Sequence, residues 1–165
     1  MAKWFRLSHQ QYLGFWLLGL FLFLIQEIPY LTMPFLKLET NPIMHMPESS
    51  LALERWEKLL GSLCIALMIF VAHKDAAFFS ITSGKEKLFF GMTMGVLLLN
   101  FLGWLLYFIG CQSLFVMMAF IVLMPPLYYV FIGLWRSNTP LTVTGCVFLV
   151  IHFAHVWKNL KLAGL

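Results

Sequence analysis

The feature that most constrains the fold is a long apolar segment near the start of the chain that ends abruptly in polar residues. The uncharged stretch from Leu7 to Gln26 is about twenty residues long, which is the length of a membrane-spanning helix. Glu27 and Pro29 follow at once. A carboxylate at the end of such a helix is costly to place unless another group meets it. We therefore expect the rest of the chain to supply a partner for Glu27.

The composition indicates that most of the chain's surroundings are lipid. Of the 165 residues, 61% are hydrophobic and only 11% are charged, whereas about a quarter of the residues in a soluble domain are charged. Lys and Arg are scattered near the predicted helix ends, where they would meet lipid headgroups, so a nucleic-acid groove is not expected. A cleaved signal peptide is disfavoured, because the first apolar stretch ends in Gln-Glu-Ile-Pro and not in a small-residue cleavage site.

We predict an all-α integral membrane bundle of five transmembrane helices, folded as one domain over residues 1–165. The first helix begins with a capping-box pattern at Ser8 to Gln11, and Pro29 should end or kink it at Ile28. The second helix has an uncharged part of only about 14 residues, short for a span. Charge does not fix the orientation, because basic residues divide almost evenly between the two sides. The helices are expected at about 9–28, 51–73, 88–109, 114–135 and 140–157.

Local signals mark several helix ends. Ser83 to Glu86 has the spacing of a capping box just before the third helix. Gly110 is expected to terminate that helix and Ser113 to cap the next one. Thr139, which precedes a proline, is expected to cap the fifth helix.

The fourth helix is predicted to be kinked near its midpoint. Pro125 and Pro126 lack the N–H groups that would bond carbonyls of the preceding turn. Asn100 on the third helix lies at a similar depth and could bond the freed carbonyls. A static packing kink and a broken helix at a transporter binding site both fit this pattern. The absence of a convincing inverted repeat weakens the transporter interpretation.

Polar residues of three helices are expected to share one membrane layer. With five alternating spans, the ends of the first, third and fifth helices lie on the same side of the bundle. His152 and His155 are three positions apart and therefore share a helix face. A carboxylate with two imidazoles could form a proton relay, a ligand counter-ion or a metal site. The alternative is that Glu27 pairs with Lys or Arg at headgroup level while the histidines anchor the interface. The predicted ligand-binding residues are Gln26, Glu27, Tyr30, Asn100, Trp104, Tyr107, His152 and His155.

No catalytic residue, metal site or cofactor is predicted. The chain lacks GxSxG, HExxH, phosphate-loop and dinucleotide-binding motifs. Zinc normally takes three or four ligands, and a histidine pair with one glutamate is a possible facial set, but the HxxH spacing alone is a weak signal. Cys64, Cys111 and Cys146 form no CxxC pair, which argues against a disulfide framework. A small membrane enzyme that uses His152 and His155 is the least favoured alternative.

Small and flexible residues suggest how the helices associate. Gly91 and Gly95 form a GxxxG pair on the third helix, and Thr142, Thr144 and Gly145 form a similar patch on the fifth. Packing within one chain is favoured over a homodimer or a contact with a partner membrane protein. Methionines of the third and fourth helices could line an adaptable apolar pocket.

In size, number of spans and tryptophan content the chain resembles the translocator-protein architecture, a five-helix tryptophan-rich bundle. It is similar in size to small bacterial immunity proteins, which protect a producer from its own membrane-active peptide. No diagnostic motif matches residue by residue, so neither resemblance assigns a site.

The leading functional expectation is binding, with or without translocation, of a small amphipathic or lipid-like molecule in a pocket at the Glu27, His152 and His155 end of the bundle. The alternative is an interaction, accessory or immunity-type protein that acts through a partner.

Overall fold

The computed structural model describes residues 2–8, 10–38, 40–75 and 77–165. As predicted, the described chain is mostly helical. A small antiparallel sheet joins the N-terminal strands to the end of the second helix. The helices are α1 (Leu17–Thr32, extended by a 3₁₀ turn at Met33–Phe35), α2 (Leu51–Phe70), α3 (Gly84–Phe108), α4 (Leu114–Trp135) and α5 (Thr139–Leu162), and the strands are β1 (Ala2–Arg6), β2 (Gln11–Phe15) and β3 (Val71–His73).

The first helix begins at Leu17, eight residues later than predicted. The predicted start, His9, lies outside the described residues. The chain beyond it forms β2, which pairs with both β1 and β3, and Gln11 lies opposite His73. The Trp16 amide then donates to the Ile69 carbonyl at 2.8 Å. Hydrogen bonds to the distant end of α2 thus outweigh the local helix-start signal.

Pro29 does not end the first helix. It lies inside α1, which continues to Thr32 before the 3₁₀ turn. The Met33 amide and the Thr32 hydroxyl both donate to the Pro29 carbonyl, the hydroxyl at 2.9 Å. These bonds keep the chain helical for one further turn, so α1 and the 3₁₀ turn together reach Phe35.

The remaining helix ends follow local capping chemistry. Ser83 and Glu86 form the predicted capping box, but α3 starts directly after Ser83, four residues earlier than expected. Ser113 caps α4, and Gly110 has a left-handed φ of 95° after α3, both as expected. The cap of α5 is Asn138 and not Thr139, because the Asn138 Oδ1 accepts the Leu141 amide at 3.1 Å. α5 also runs five residues beyond its predicted end. α2 ends at Phe70 and not at residue 73, because the next three residues form β3.

The fourth helix contains a π-helical segment at Met117–Val122, directly before its two prolines. The Phe120 carbonyl, in a π pattern, would accept from residue 125, which is a proline without an N–H group. The Asn100 Nδ2 donates to that carbonyl instead, at 3.0 Å. This is the contact expected for Asn100. A Cβ added at Gly103 would lie 2.4 Å from the Phe120 Cβ, so only glycine permits this approach of α3 to α4.

Four helices of the described chain are long and apolar enough to cross a membrane: the stretches Leu17–Phe35, Gly84–Phe108, Leu114–Trp135 and Thr139–Leu162. α2 is not among them, because its first half carries Glu54, Arg55, Glu57 and Lys58.

Successive helices run in opposite directions and give the bundle two distinct ends. The end that holds the sheet, Trp16, Trp135 and Asn138 is called the tryptophan end below. The end that holds Glu57, His152 and His155 is called the histidine end. A buried apolar cluster lies toward each end, one around Trp16, Met68 and Trp135 and the other around Trp104, Tyr107 and Met117.

Candidate functional site

The centre of the histidine end is one carboxylate held between two imidazoles. Glu57 of α2 faces α5, where the His152 Nδ1 lies 2.9 Å from the Glu57 Oε1. The His155 Nδ1 hydrogen-bonds to the other oxygen, Glu57 Oε2. The two rings reach one carboxylate because they are three residues apart on a single helix face. Since a carboxylate only accepts, both rings present an Nδ1–H to it.

The second nitrogen of His155 connects this group to the segment between α1 and α2, residues 36–50, called the connection below. His155 Nε2 lies 3.3 Å from the Glu48 Oε2 and 3.2 Å from the Asn159 Nδ2. The Asn159 Oδ1 accepts the Ser49 amide at 2.9 Å. His155 and Asn159 are both buried, so the C-terminal half of the connection is fixed to an interior face of α5.

The other half of the connection is fixed to the end of α3. The Tyr107 hydroxyl donates to the Asn41 Oδ1 at 2.7 Å and accepts the Ile43 amide at 3.2 Å. Just beyond α3, the Gln112 Nε2 donates to the Thr40 carbonyl at 2.9 Å. The connection therefore folds across the histidine end and covers it.

Two buried polar atoms beneath the connection have no hydrogen-bond partner among the described residues. They are the Nε1–H donor of Trp104 and the Oε1 acceptor of Gln26. Both side chains are nearly inaccessible, at 1% and 3% exposure. The Tyr30 ring, one helical turn after Gln26, meets the Trp104 ring edge-on with 4.7 Å between centroids. Leaving such groups unpaired costs about 1–3 kcal/mol each, and buried polar groups in folded proteins normally have a protein or water partner.

Methionines form much of the apolar wall around this layer. Met33, Met117 and Met118 are buried in the same cluster as Trp104, and Met46 of the connection packs against them. Their unbranched side chains change shape at low cost. The methionines of this cluster lie on α4, the 3₁₀ turn and the connection, and not on α3, where part of this lining was expected from the sequence.

The structure corrects the role predicted for Glu27, because the partner of both histidines is Glu57. The half-buried Glu27 carboxylate acts electrostatically on the hydroxyls of Tyr30 and Tyr129. The Glu57 carboxylate also acts electrostatically on the Tyr30 hydroxyl, which is therefore influenced by both carboxylates. Sequence reasoning missed Glu57 because it lies in a charged turn. The missed signal is its spacing to Leu60, Cys64 and Met68, which places it on the apolar face of α2.

The predicted site residues thus fall into three groups. Gln26, Tyr30, Trp104 and Tyr107 form one layer, and His152 and His155 lie beside it through Glu57. Asn100 lies one turn deeper, where it bonds α4. Glu27 belongs to the layer but does not contact the histidines.

The bundle has little preformed space. An enclosed cavity of about 10 Å³ lies at the tryptophan end among Trp16, Arg136 and Asn138, with room for about one water. Open grooves flank the connection at the histidine end. One of about 360 Å³ is lined by Ser49, Trp157, Lys158, Lys161 and Leu162, and another of about 330 Å³ is lined by Lys37, Leu38, Thr40, Phe108, Ile109, Gly110 and Gln112.

Within the described ranges, no group of three or more His, Cys, Asp or Glu side chains is arranged to hold a metal ion. Cys64 is buried and free, whereas Cys111 and Cys146 are exposed and free. Comparison of the chain with known protein families, with curated proteins and with solved structures found no match. Function therefore has to be inferred from side-chain geometry.

Proposed function

We propose that the chain is an integral, multi-pass membrane protein in which all five helices cross the bilayer and α4 is kinked at its prolines. The connectivity supports a crossing by α2, because α1 ends at the histidine end and α3 begins at the tryptophan end. α2 has 20 residues and is about 30 Å long, one hydrocarbon thickness. Its charges are compensated: Lys58 pairs with Glu54, and Glu57 meets two histidines.

We infer that the histidine end binds a small amphipathic or lipid-like molecule beneath the connection. This inference rests on two buried polar atoms, the Trp104 Nε1 and the Gln26 Oε1, neither of which has a hydrogen-bond partner of good geometry among the described residues. A ligand with a hydroxyl, amide or carboxylic acid group can satisfy both, while its apolar body packs among the methionines. Glu27, Glu57 and the histidines supply the electrostatic environment. In a translocating version of this function, the connection would have to open in each cycle.

In this proposal the ligand enters through the groove lined by Lys37, Leu38, Thr40, Phe108, Ile109, Gly110 and Gln112. Because the layer is packed when empty, binding requires side chains such as Met117 and Met118 to move. The ligand's apolar part then replaces methionine contacts, and its polar head reaches the indole and the amide. Such repacking is typical of methionine-rich binding surfaces.

The test removes the two unpaired polar atoms and little else. The protein is purified in mild detergent, and co-purifying small molecules are identified by native mass spectrometry. In Trp104→Phe and Gln26→Leu, ligand occupancy should fall about tenfold for each lost hydrogen bond. Trp135→Phe, which changes the same residue type at the tryptophan end, is the matched control and should retain the ligand. A bare wild-type protein, or full occupancy in both variants, contradicts the proposal.

A second candidate function, docking to a partner membrane protein or a second copy, is favoured by Gly91 and Gly95. A Cβ at either position would meet nothing within 4 Å, so this face packs against no other described part of the chain, contrary to our expectation. A partner chain that co-purifies with the wild type and is lost in Gly95→Leu, but kept in the control Val150→Leu, would support docking. A wild-type protein that is monomeric and partner-free in mild detergent would argue against it.

A further inference from the structure

We propose that the C-terminal end of α5 binds the headgroup of an anionic phospholipid, in the groove lined by Ser49, Trp157, Lys158, Lys161 and Leu162. This site lies at the C-terminal end of α5, beside the connection. It depends on the proposed membrane insertion but not on the ligand site beneath the connection.

The charge of the groove matches a phosphate headgroup. Lys158 and Lys161 are three residues apart and both exposed, so two ammonium groups reach the same groove. The neighbouring Glu48 carboxylate is directed to the His155 Nε2 and lies within electrostatic reach of Lys58. A zwitterionic headgroup gains less from this site than an anionic one.

The aromatic lining places the groove at the depth of lipid headgroups. The Lys161 ammonium lies 5.3 Å from the centroid of the Trp157 ring, a cation–π distance. Trp157 in turn stacks on Phe153, with centroids 6.2 Å apart and planes within 10°. Tryptophan with lysine at the end of a spanning helix is the usual arrangement at a membrane–water interface.

An apolar stripe leads from the groove along α5 and supplies a surface for an acyl chain. Val143, Val147, Val150, Phe153 and Trp157 are all exposed, and their spacing of three or four residues puts them on one helix face. The stripe covers 15 residues, and its first and last residues are about 21 Å apart along the helix axis at 1.5 Å per residue. The first three residues of the stripe are valines, whose short side chains form a continuous apolar surface. A phospholipid seated on α5 thus finds charge at its head and a continuous apolar contact below.

The experiment titrates the purified full-length protein in mild detergent with phosphatidylglycerol and with phosphatidylcholine of identical acyl chains, and reads the adducts by native mass spectrometry. The expected result is one phosphatidylglycerol adduct, preferred at least tenfold over phosphatidylcholine. Replacing Lys158 and Lys161 together by Gln should lower the phosphatidylglycerol affinity about 30-fold, to the phosphatidylcholine level. The matched control replaces Lys85 and Lys87 by Gln at the other end of the bundle and should keep the preference.

Two further arms separate the headgroup from the chain and this site from the ligand site. Val147→Ser combined with Val150→Ser should weaken both lipids, whereas inorganic phosphate should not displace the bound phosphatidylglycerol. Trp104→Phe should leave lipid binding unchanged whether or not the ligand site exists. Equal binding of the two lipids, equal losses in the two lysine double variants, or displacement by inorganic phosphate would overturn the proposal.

Discussion

The buried tryptophans at the two ends of the bundle differ in whether their indole N–H groups are hydrogen-bonded. At the tryptophan end, the Trp16 Nε1 donates to the Phe78 carbonyl and the Trp135 Nε1 donates to the Ser80 carbonyl, both at 2.8 Å. At the histidine end, the equally buried Trp104 Nε1 forms no hydrogen bond of good geometry among the described residues, although it interacts with the Tyr30 hydroxyl. Identical chemistry is thus satisfied internally at one end and left open at the other.

The tryptophan end is held together by contacts of Arg136 and Asn138 within the chain. The Arg136 guanidinium lies over the Trp16 ring at 4.6 Å and donates to the Ala77 carbonyl. Burial lowers the pKa of Arg136, and the Glu86 carboxylate partly offsets this shift. The guanidinium stays charged because arginine is not deprotonated in proteins. Asn138 joins the start of α5 to the end of α2 and to β3 by two hydrogen bonds, and a third hydrogen bond caps α5. The tryptophan end thus satisfies both of its indole N–H groups internally, although the Gln11 Oε1 at that end, like the Trp104 Nε1 at the histidine end, has no hydrogen-bond partner among the described residues.

The largest effect is expected for Asn138→Ala. Its Nδ2 donates to the carbonyls of Leu67 and Val71 at 2.9 and 2.8 Å, and its Oδ1 caps α5. Three lost bonds at about 1 kcal/mol each should lower the free energy of unfolding by about 3 kcal/mol. Denaturant titration in detergent measures this, with the exposed neighbour Thr139→Ala as control. The folded fraction of the variant should still bind the ligand. A selective loss of ligand would contradict the proposal that the tryptophan end contributes to stability and the histidine end to binding.

A smaller loss, about 2 kcal/mol, is expected for Glu57→Ala, because the Nδ1–H groups of His152 and His155 lose their acceptor. A double-mutant cycle with His155→Phe should give a coupling free energy of about 1–2 kcal/mol. The same variant should also release the ligand, unlike Asn138→Ala. Additive effects on unfolding would mean that the Glu57–His155 bond contributes nothing to stability.

The sharpest comparison pairs Trp135→Phe with Trp104→Phe. Both changes remove the same volume and the same N–H group, but only the first breaks a hydrogen bond. Trp135→Phe should therefore cost about 1 kcal/mol more unfolding free energy than Trp104→Phe. Equal destabilisation would show that the Trp104 Nε1 has a partner in the empty protein, and the ligand proposal would lose its basis.

The smallest predicted effect concerns Asn100 and the π segment. Asn100→Ala should cost about 1 kcal/mol because the Phe120 carbonyl is left unpaired. In a Pro125→Ala background, the restored amide can take over that carbonyl, so the cost of Asn100→Ala should nearly vanish. Unfolding free energies of the four proteins decide the matter. An unchanged cost in both backgrounds would separate Asn100 from the prolines.

The structural features that were predicted correctly from the sequence are those that depend only on residues close together in the chain. The capping box at Ser83, the left-handed Gly110 and the cap at Ser113 each depend on a few neighbours, and each is observed. The start of α1 was wrong because β2 pairs with residues about 60 positions away, beyond the reach of any local signal. The shared layer of Gln26, Tyr30, Trp104 and Tyr107 was expected from the sequence, but the carboxylate that contacts His152 and His155 was not. The identity of that carboxylate depends on how α2 is rotated about its axis relative to α5. Spacing from Glu57 to Met68 carried that information.

The three-stranded sheet constrains how the chain is made. β1 and β2 are synthesised first, but the inner strand β2 lacks its second neighbour until His73 has left the ribosome. Until then the amide of Trp16 also lacks the Ile69 carbonyl that fixes the start of α1. The start of α1 and the end of α2 are therefore joined only after both helices have been synthesised, and a nascent chain arrested before residue 71 would lack the pairing of β2 with β3.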